Sequence, residues 1–167
     1  PGLDDHQLKP EDFETEGALS TDAAKIIMKA LHGARLVRYE LLWPICSSAR
    51  LTTKWTVACD KRLRSLMCYI QHTEDHSLES FVGDDAQHIH PVLFSDADFA
   101  GDMQTAKSTS GCYLAMVGPN TFAPVTASCK KQTCVSHSST ESEIVAAEQG
   151  IRCEGLQVLT FWEIAVP

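Results

Sequence analysis

The chain has 167 residues, a formal net charge of −8, 44% hydrophobic residues and 22% charged ones. Such a length and composition suit one domain, or one domain with a helical appendage, with enough apolar side chains for a core. No run of about eighteen apolar residues occurs, which excludes a helical membrane span, and no charged-then-apolar leader opens the sequence. A start at Pro1 rather than Met marks the chain as an expected piece of a longer product. Seven cysteines, at 46, 59, 68, 112, 129, 134 and 153, are scattered without a CxxC pair. Their odd number and mostly apolar surroundings predict reduced, buried thiols in an intracellular protein rather than a disulfide framework.

Charge is uneven along the chain. Residues 1–20 carry six acids against Lys9 and include Pro and Gly without helical or strand period, so they read as an acidic arm. Such an arm is mobile by itself, and order in it would call for something to hold it, with a partner chain as the candidate. Ser20 or Thr21 can cap a helix through AAKIIMKALHGA, with Gly33 near its end. Pro44 kinks or restarts the helix that follows. Between Thr53 and His72, the residues Trp55, Cys59, Leu63, Leu66 and Ile70 recur at three- and four-residue spacing and predict an amphipathic helix. Lys54, Lys61 and Arg64 fall largely away from that stripe and could follow a phosphate backbone.

From about residue 77 the period shortens. SLESFVG, PVLFSDADF, GCYLAMVG and TFAPVTASCKKQTCVS read as strands, with turns at Gly83-Asp84-Asp85 and Gly118-Pro119-Asn120. Their close spacing predicts antiparallel neighbours. A last helix runs from SSTESE to about Trp162, with Ile144, Ala147, Ile151, Val158 and Trp162 on its buried side. The division expected is an acidic arm over 1–20, a helical segment over 21–75 and a strand-rich domain over 76–167.

Asp96, Asp98 and Asp102 fall within seven residues of one strand end. Asp96 and Asp98 share a face about 7 Å apart, which is costly unless a cation or a proton offsets their repulsion. Taken alone, they read first as solvated turn aspartates. Ser138-x-x-Glu141 is a capping box, which accounts for Glu141 by spacing alone. His72 and His76, and His88 and His90, have no cysteine or third histidine placed to complete a zinc site, so they read as solvated or locally bonded.

Taken together, SDADFAGD, KSTSGCYLAMVG and SCKKQTCVSHSSTESEIVAAEQG resemble the ribonuclease H domain of copia-type retrotransposon Pol polyproteins, over about residues 90–160. ARLVRYELLWPICSSARLTTKWTVACDKRLRSLMCYI resembles the tail of the preceding reverse transcriptase. The resemblance implies an α/β (α+β) class and a partial RNase H-like fold, with three antiparallel strands and a long helix after a helical segment. It implies Mg²⁺-dependent (or Mn²⁺-dependent) cleavage of RNA in RNA·DNA hybrids, with two metals clamping the attacking and leaving oxygens. Asp96 and Glu141 would be catalytic residues and metal ligands, with Asp98 and Glu143 as further candidate ligands. Lys130 and Lys131 match the family's basic pair and join Lys54, Lys61 and Arg64 as candidate nucleic-acid contacts. The family's later aspartate and fourth strand would lie beyond Pro167. A degenerate or truncated copy is therefore expected, inactive as this chain, weakly holding any metal, and cytoplasmic or nuclear. The alternative is a non-catalytic structural or binding subunit, whose open sheet edge and acidic arm a protein partner would cover.

Overall fold

Residues 8–102 and 105–166 are described in a computed structural model, in which the chain divides into two units, Pro1–Ser77 and Leu78–Pro167. The first unit is helical: α1 (Ala23–Val37), α2 (Leu42–Ala49) and α3 (Val57–His72) are joined by short 3-10 turns. Its core is the apolar stripe that the spacing picks out, with Trp55, Cys59, Leu63 and Leu66 buried alongside Ile27, Leu41, Leu42 and Ile45. Each fully buried Ile or Leu contributes roughly 1.5–3 kcal/mol.

Three local expectations change. The N-cap of α1 is Asp22, not Ser20 or Thr21, because the chain turns one step later, with the Asp22 and Ala23 amides donating to the Leu19 carbonyl. Gly33 does not end α1; the helix continues to Val37, since Ala34 packs into the core at 1% exposure. α3 begins at Val57, because Thr52–Lys54 forms a separate 3-10 turn before it.

Residues 8–20 are held by the chain itself, so the partner invoked to order the arm is not needed there. Its residues 1–7 lie outside the described residues. Gly17 N–H donates to the Trp55 carbonyl, and Val57 N–H donates to the Thr15 carbonyl. The Asp60 carboxylate then accepts from Ala18 N–H at 2.6 Å, Leu19 N–H at 3.3 Å and Trp55 Nε1 at 2.6 Å. Asp60 is the one acid among the basic residues of 50–64, and it is their structural exception. Lys61 donates to Asp12 at 2.6 Å, and the Arg62 guanidinium sits over the Phe13 ring.

The second unit is a four-stranded antiparallel sheet with helices, an α+β fold. The strands β1 (Phe81–Val82), β2 (His90–Asp102), β3 (Lys107–Gly118) and β4 (Thr121–Lys131) take the order β1-β4-β3-β2. The Pro119-Asn120 turn joins β3 to β4, and Asp84 braces it by accepting from Asn120 N–H at 2.7 Å. Pro91 is tolerated because β2 is an edge strand.

α4 (Ser139–Gly150) packs on β2 and β3, a single π-helical turn (Ile151–Gly155) follows, and α5 (Leu156–Ala165) completes the described chain. The buried side of this helix differs from expectation. Ser142, Ala146 and Gly150 are buried, whereas Ile144 and Ile151 are exposed. Small residues four apart let the helix approach the strands closely. A methyl group added at Gly150 would lie 2.7 Å from Cys112 Sγ and 3.2 Å from Leu93 Cδ2. The Cys112 thiol, pushed up by burial, donates to the Ala146 carbonyl. None of the seven cysteines is in a disulfide; Cys59 and Cys112 are buried and Cys46 and Cys129 half-buried, while the expectation of buried thiols fails for the exposed Cys68, Cys134 and Cys153.

Two outcomes follow from this packing. Gly150→Ala is expected to lower unfolding stability by about 1–3 kcal/mol through overpacking against Cys112. Gly33→Ala, with nothing within 4 Å of the added carbon, is expected to raise it by about 0.5–1 kcal/mol. Chemical denaturation of both variants checks the pair.

The arm makes a pH prediction. The Lys61 ammonium, and after it the Lys9 N–H, hold the Asp12 carboxyl below its ordinary value of 3.8. A carboxyl lowered in the folded state contributes stability above its unfolded value and loses it as pH falls through the folded one. The stability difference between wild type and Asp12→Asn should therefore be constant from neutrality to about pH 5 and vanish at lower pH, measured by denaturation across that range.

Candidate functional site

The sheet has two unlike faces. Leu93 and Cys112 meet α4, so alternation places Leu93, Ser95, Cys112 and Leu114 on the helix side. Phe94, Tyr113 and Phe122 lie on the other side, with ring centroids 6.1 Å and 6.3 Å apart in succession. Phe81 pairs directly with Phe122 and extends the row. The three Phe rings are open to solvent, Phe81 at 67%, Phe94 at 49% and Phe122 at 47%, while Tyr113 between them is half-buried.

Asp96 pairs with Gly111 two residues beyond Phe94, with no irregularity between them, and so shares the ring face. It is exposed. Glu141 opens α4, which packs on the opposite face, so the structure does not bring these two acids together around one point. Glu141 works as a cap. Its N–H donates to Ser138 Oγ at 3.1 Å, while its Oε2 accepts from His137 N–H at 2.6 Å, one residue earlier than the capping box predicts. Asp98 Oδ1 accepts from Thr109 N–H at 2.8 Å. That bond sits beside a bulge in which Phe99–Gly101 oppose Ser108 alone, with Ala100 at φ 53° and its N–H donating to Ser108 Oγ. Asp102 is ion-paired with Lys131. Glu143 is half-buried on α4.

A divalent metal needs several oxygens converging on one centre. Among the described residues no group of three or more His, Cys, Asp or Glu side chains is gathered to hold one. Asp96 and Glu141, the residues expected to bind Mg²⁺ or Mn²⁺, fall on opposite faces of the sheet by alternation, and Glu141 and Asp98 bond to backbone N–H groups. The basic candidates divide similarly. Lys61 is paired with Asp12 and Lys131 with Asp102, while Lys54, Arg64 and Lys130 are exposed. Lys54, Lys61 and Arg64 belong to the first unit, Lys130 and Lys131 to the second. His72 Nδ1 bonds the Cys68 carbonyl at 2.7 Å, a local bond of the expected kind.

What sequence reasoning missed is a buried polar network made of the same motifs. Gln132 Nε2 donates to Ser110 Oγ at 3.1 Å and to the Ser142 carbonyl at 2.9 Å, while Ser136 Oγ donates to Gln132 Oε1 at 3.3 Å. Gln132 N–H also donates to the Ser108 carbonyl. Ser108, Ser110, Gln132, Ser136 and Ser142 are all buried. The available signal was the density of Ser and Gln in three separated segments, KSTSG, KKQT and SSTES, flanking one helix.

The fold thus defines an α+β unit with one helix-covered sheet face and one exposed ring face. Against known proteins, the chain is similar to a secreted RxLR effector protein, number 161, of Plasmopara viticola, at 36% identity over 87 residues. The match covers 52% of this chain, and the chain spans 56% of that relative's length. No protein-family model matches the chain, and no solved structure matches it. These findings overturn the expected membership in copia-type Pol polyproteins, and with it the retrotransposon, reverse transcriptase and endonuclease reading. The physical counterpart is that the motif residues carrying the resemblance bond to one another and to backbone. Among the described residues no helix is long and apolar enough to cross a membrane.

Gln132→Ala is expected to destabilise the fold by at least about 1–3 kcal/mol, by leaving buried Ser110 and Ser136 hydroxyls without their partner. Asp96→Asn, at an exposed position, should stay within about 0.5 kcal/mol of wild type. Millimolar Mg²⁺ should leave the melting temperature of wild type and Asp96→Asn equal, as read by differential scanning fluorimetry.

Proposed function

We propose that this chain is a non-catalytic binding module that receives an extended segment of protein along β2. The observation that carries it is the unpaired edge of a 13-residue strand, exposed from Phe94 to Asp96. An open edge presents a row of backbone donors and acceptors, and proteins that leave one uncovered offer it as a template for pairing. Strand addition draws affinity from backbone bonds and selectivity from alternate side chains. On one face the added strand would meet Phe94 and the ring row; on the other it would meet the apolar start of α5, where Leu156 and Leu159 are exposed. Exposed apolar surface of this extent next to an open edge is the composition expected of an interaction site. The description of the Plasmopara relative as an effector is compatible with a binding role.

Selection of random twelve-residue displayed peptides on the intact chain tests this. Enriched peptides should alternate apolar and polar residues, perturb the backbone amides of β2 in NMR spectra, and bind at least about tenfold more weakly to Phe94→Lys. Enrichment of peptides that perturb other residues, or that bind Phe94→Lys equally, would overturn the proposal.

A further inference from the structure

We propose that the edge of β2 pairs with β2 of a second copy of this chain, antiparallel about a two-fold axis at Leu93. The inference rests on the binding-module reading above and names its partner. It follows from charge and register along one strand. β2 carries Asp96, whose exposed carboxylate makes no hydrogen bond or ion pair among the described residues, and six residues earlier the exposed His90. In an antiparallel pair centred on Leu93, residues whose numbers sum to 186 stand opposite one another. Asp96 of each copy then faces His90 of the other, twice by symmetry. Both side chains lie on the ring face, so the pairs form on one side of a continuous sheet.

Pro91 faces Ser95 of the second copy and offers no N–H to it, so that step of the ladder is joined by fewer bonds; the other partners agree. Phe94 faces Val92 of the second copy, which extends the ring row across the axis. Leu93 meets its own symmetry mate on the helix face. Gly155, immediately before α5, lies directly over Leu93, since a methyl group there would be 3.5 Å from Leu93 Cδ2. The exposed Leu156 of each copy therefore begins beside the axis, where burial against the second copy removes apolar surface from water. Like charges stay apart, the two Asp96 residues being displaced about 20 Å along the paired strands. Shifting the axis to Asp96 would set the two carboxylates face to face and is disfavoured. An axis between residues would set ring-face residues of one copy opposite helix-face residues of the other, which an antiparallel ladder does not allow. The bulge after Asp98 ends the regular edge, which confines the pairing to His90–Asp96.

The test is sedimentation velocity of the intact chain over a concentration series, with circular dichroism to confirm folding. Wild type should show a concentration-dependent dimer. His90→Glu should weaken it at least about tenfold, because it sets two carboxylates opposite one another, and Asp96→Lys should weaken it by removing the carboxylate that His90 faces. The doubly substituted chain, H90E with D96K, should recover dimerisation to within a few fold. A monomer at every concentration, single variants that dimerise as wild type does, or a double variant that fails to recover would each overturn the inference. Peptide capture along β2 by a strictly monomeric chain would overturn the dimer while leaving the binding-module reading intact.

Discussion

The second unit depends on one buried side chain, Gln132. Its amide nitrogen reaches the Ser110 hydroxyl on β3 and the Ser142 carbonyl on α4, and its oxygen accepts from Ser136 in the loop between β4 and the helix. A polar group in that position is costly unless its bonding capacity is used, and here the network is closed. No buried side-chain polar atom among the described residues lacks a partner. The network sets where α4 sits. Once the helix is docked, its small residues Ser142, Ala146 and Gly150 set how close it comes, and one face of the sheet is covered. The ring face and the β2 edge are what remain, and the proposed interactions use them.

Much of the architecture was legible in the sequence, for identifiable reasons. Three- and four-residue spacing of apolar side chains marked α3, and both Gly-containing turns fell between strands. The buried side of the last helix was not legible. Ile144 and Ile151 are larger and more apolar than Ser142, Ala146 and Gly150, so a search for burial by hydrophobicity chooses the wrong stripe. Close packing against a sheet rewards small size, and no hydropathy pattern reports how near another element will come. The acidic arm misled in the opposite way. Its composition is that of a mobile segment, yet Asp60 on α3 collects three donors from the arm and its neighbourhood.

The candidate site shows a different limit. Asp96, Asp98, Glu141 and the lysine pair were singled out as candidate catalytic, metal-binding and nucleic-acid-binding residues, but residues in such motifs can also serve structure. Glu141 caps a helix, Asp98 steadies a bulge, and Asp102 neutralises Lys131. Only the Glu141 cap is local; Asp98 and Asp102 find their partners 11 and 29 residues along the chain. Convergence on a metal would instead have required Asp96 and Glu141 to share a side of the sheet, and strand alternation puts Asp96 on the side away from α4. Asp96 is exposed on the edge strand with no side-chain partner among the described residues, where an interaction with another chain is chemically open to it.

The sequence by itself determined the local elements: which segments are helical or extended, where the chain turns, and that Ser138 and Glu141 start a helix. Those outcomes follow from propensity, periodicity and hydrogen bonds only a few residues long. The tertiary structure alone decided which face each side chain occupies and which acids meet a partner. It also decided which strand is left at the edge. These depend on pairings between residues tens of positions apart, such as Gln132 with Ser110 or Asp60 with Ala18, whose geometry no local pattern encodes.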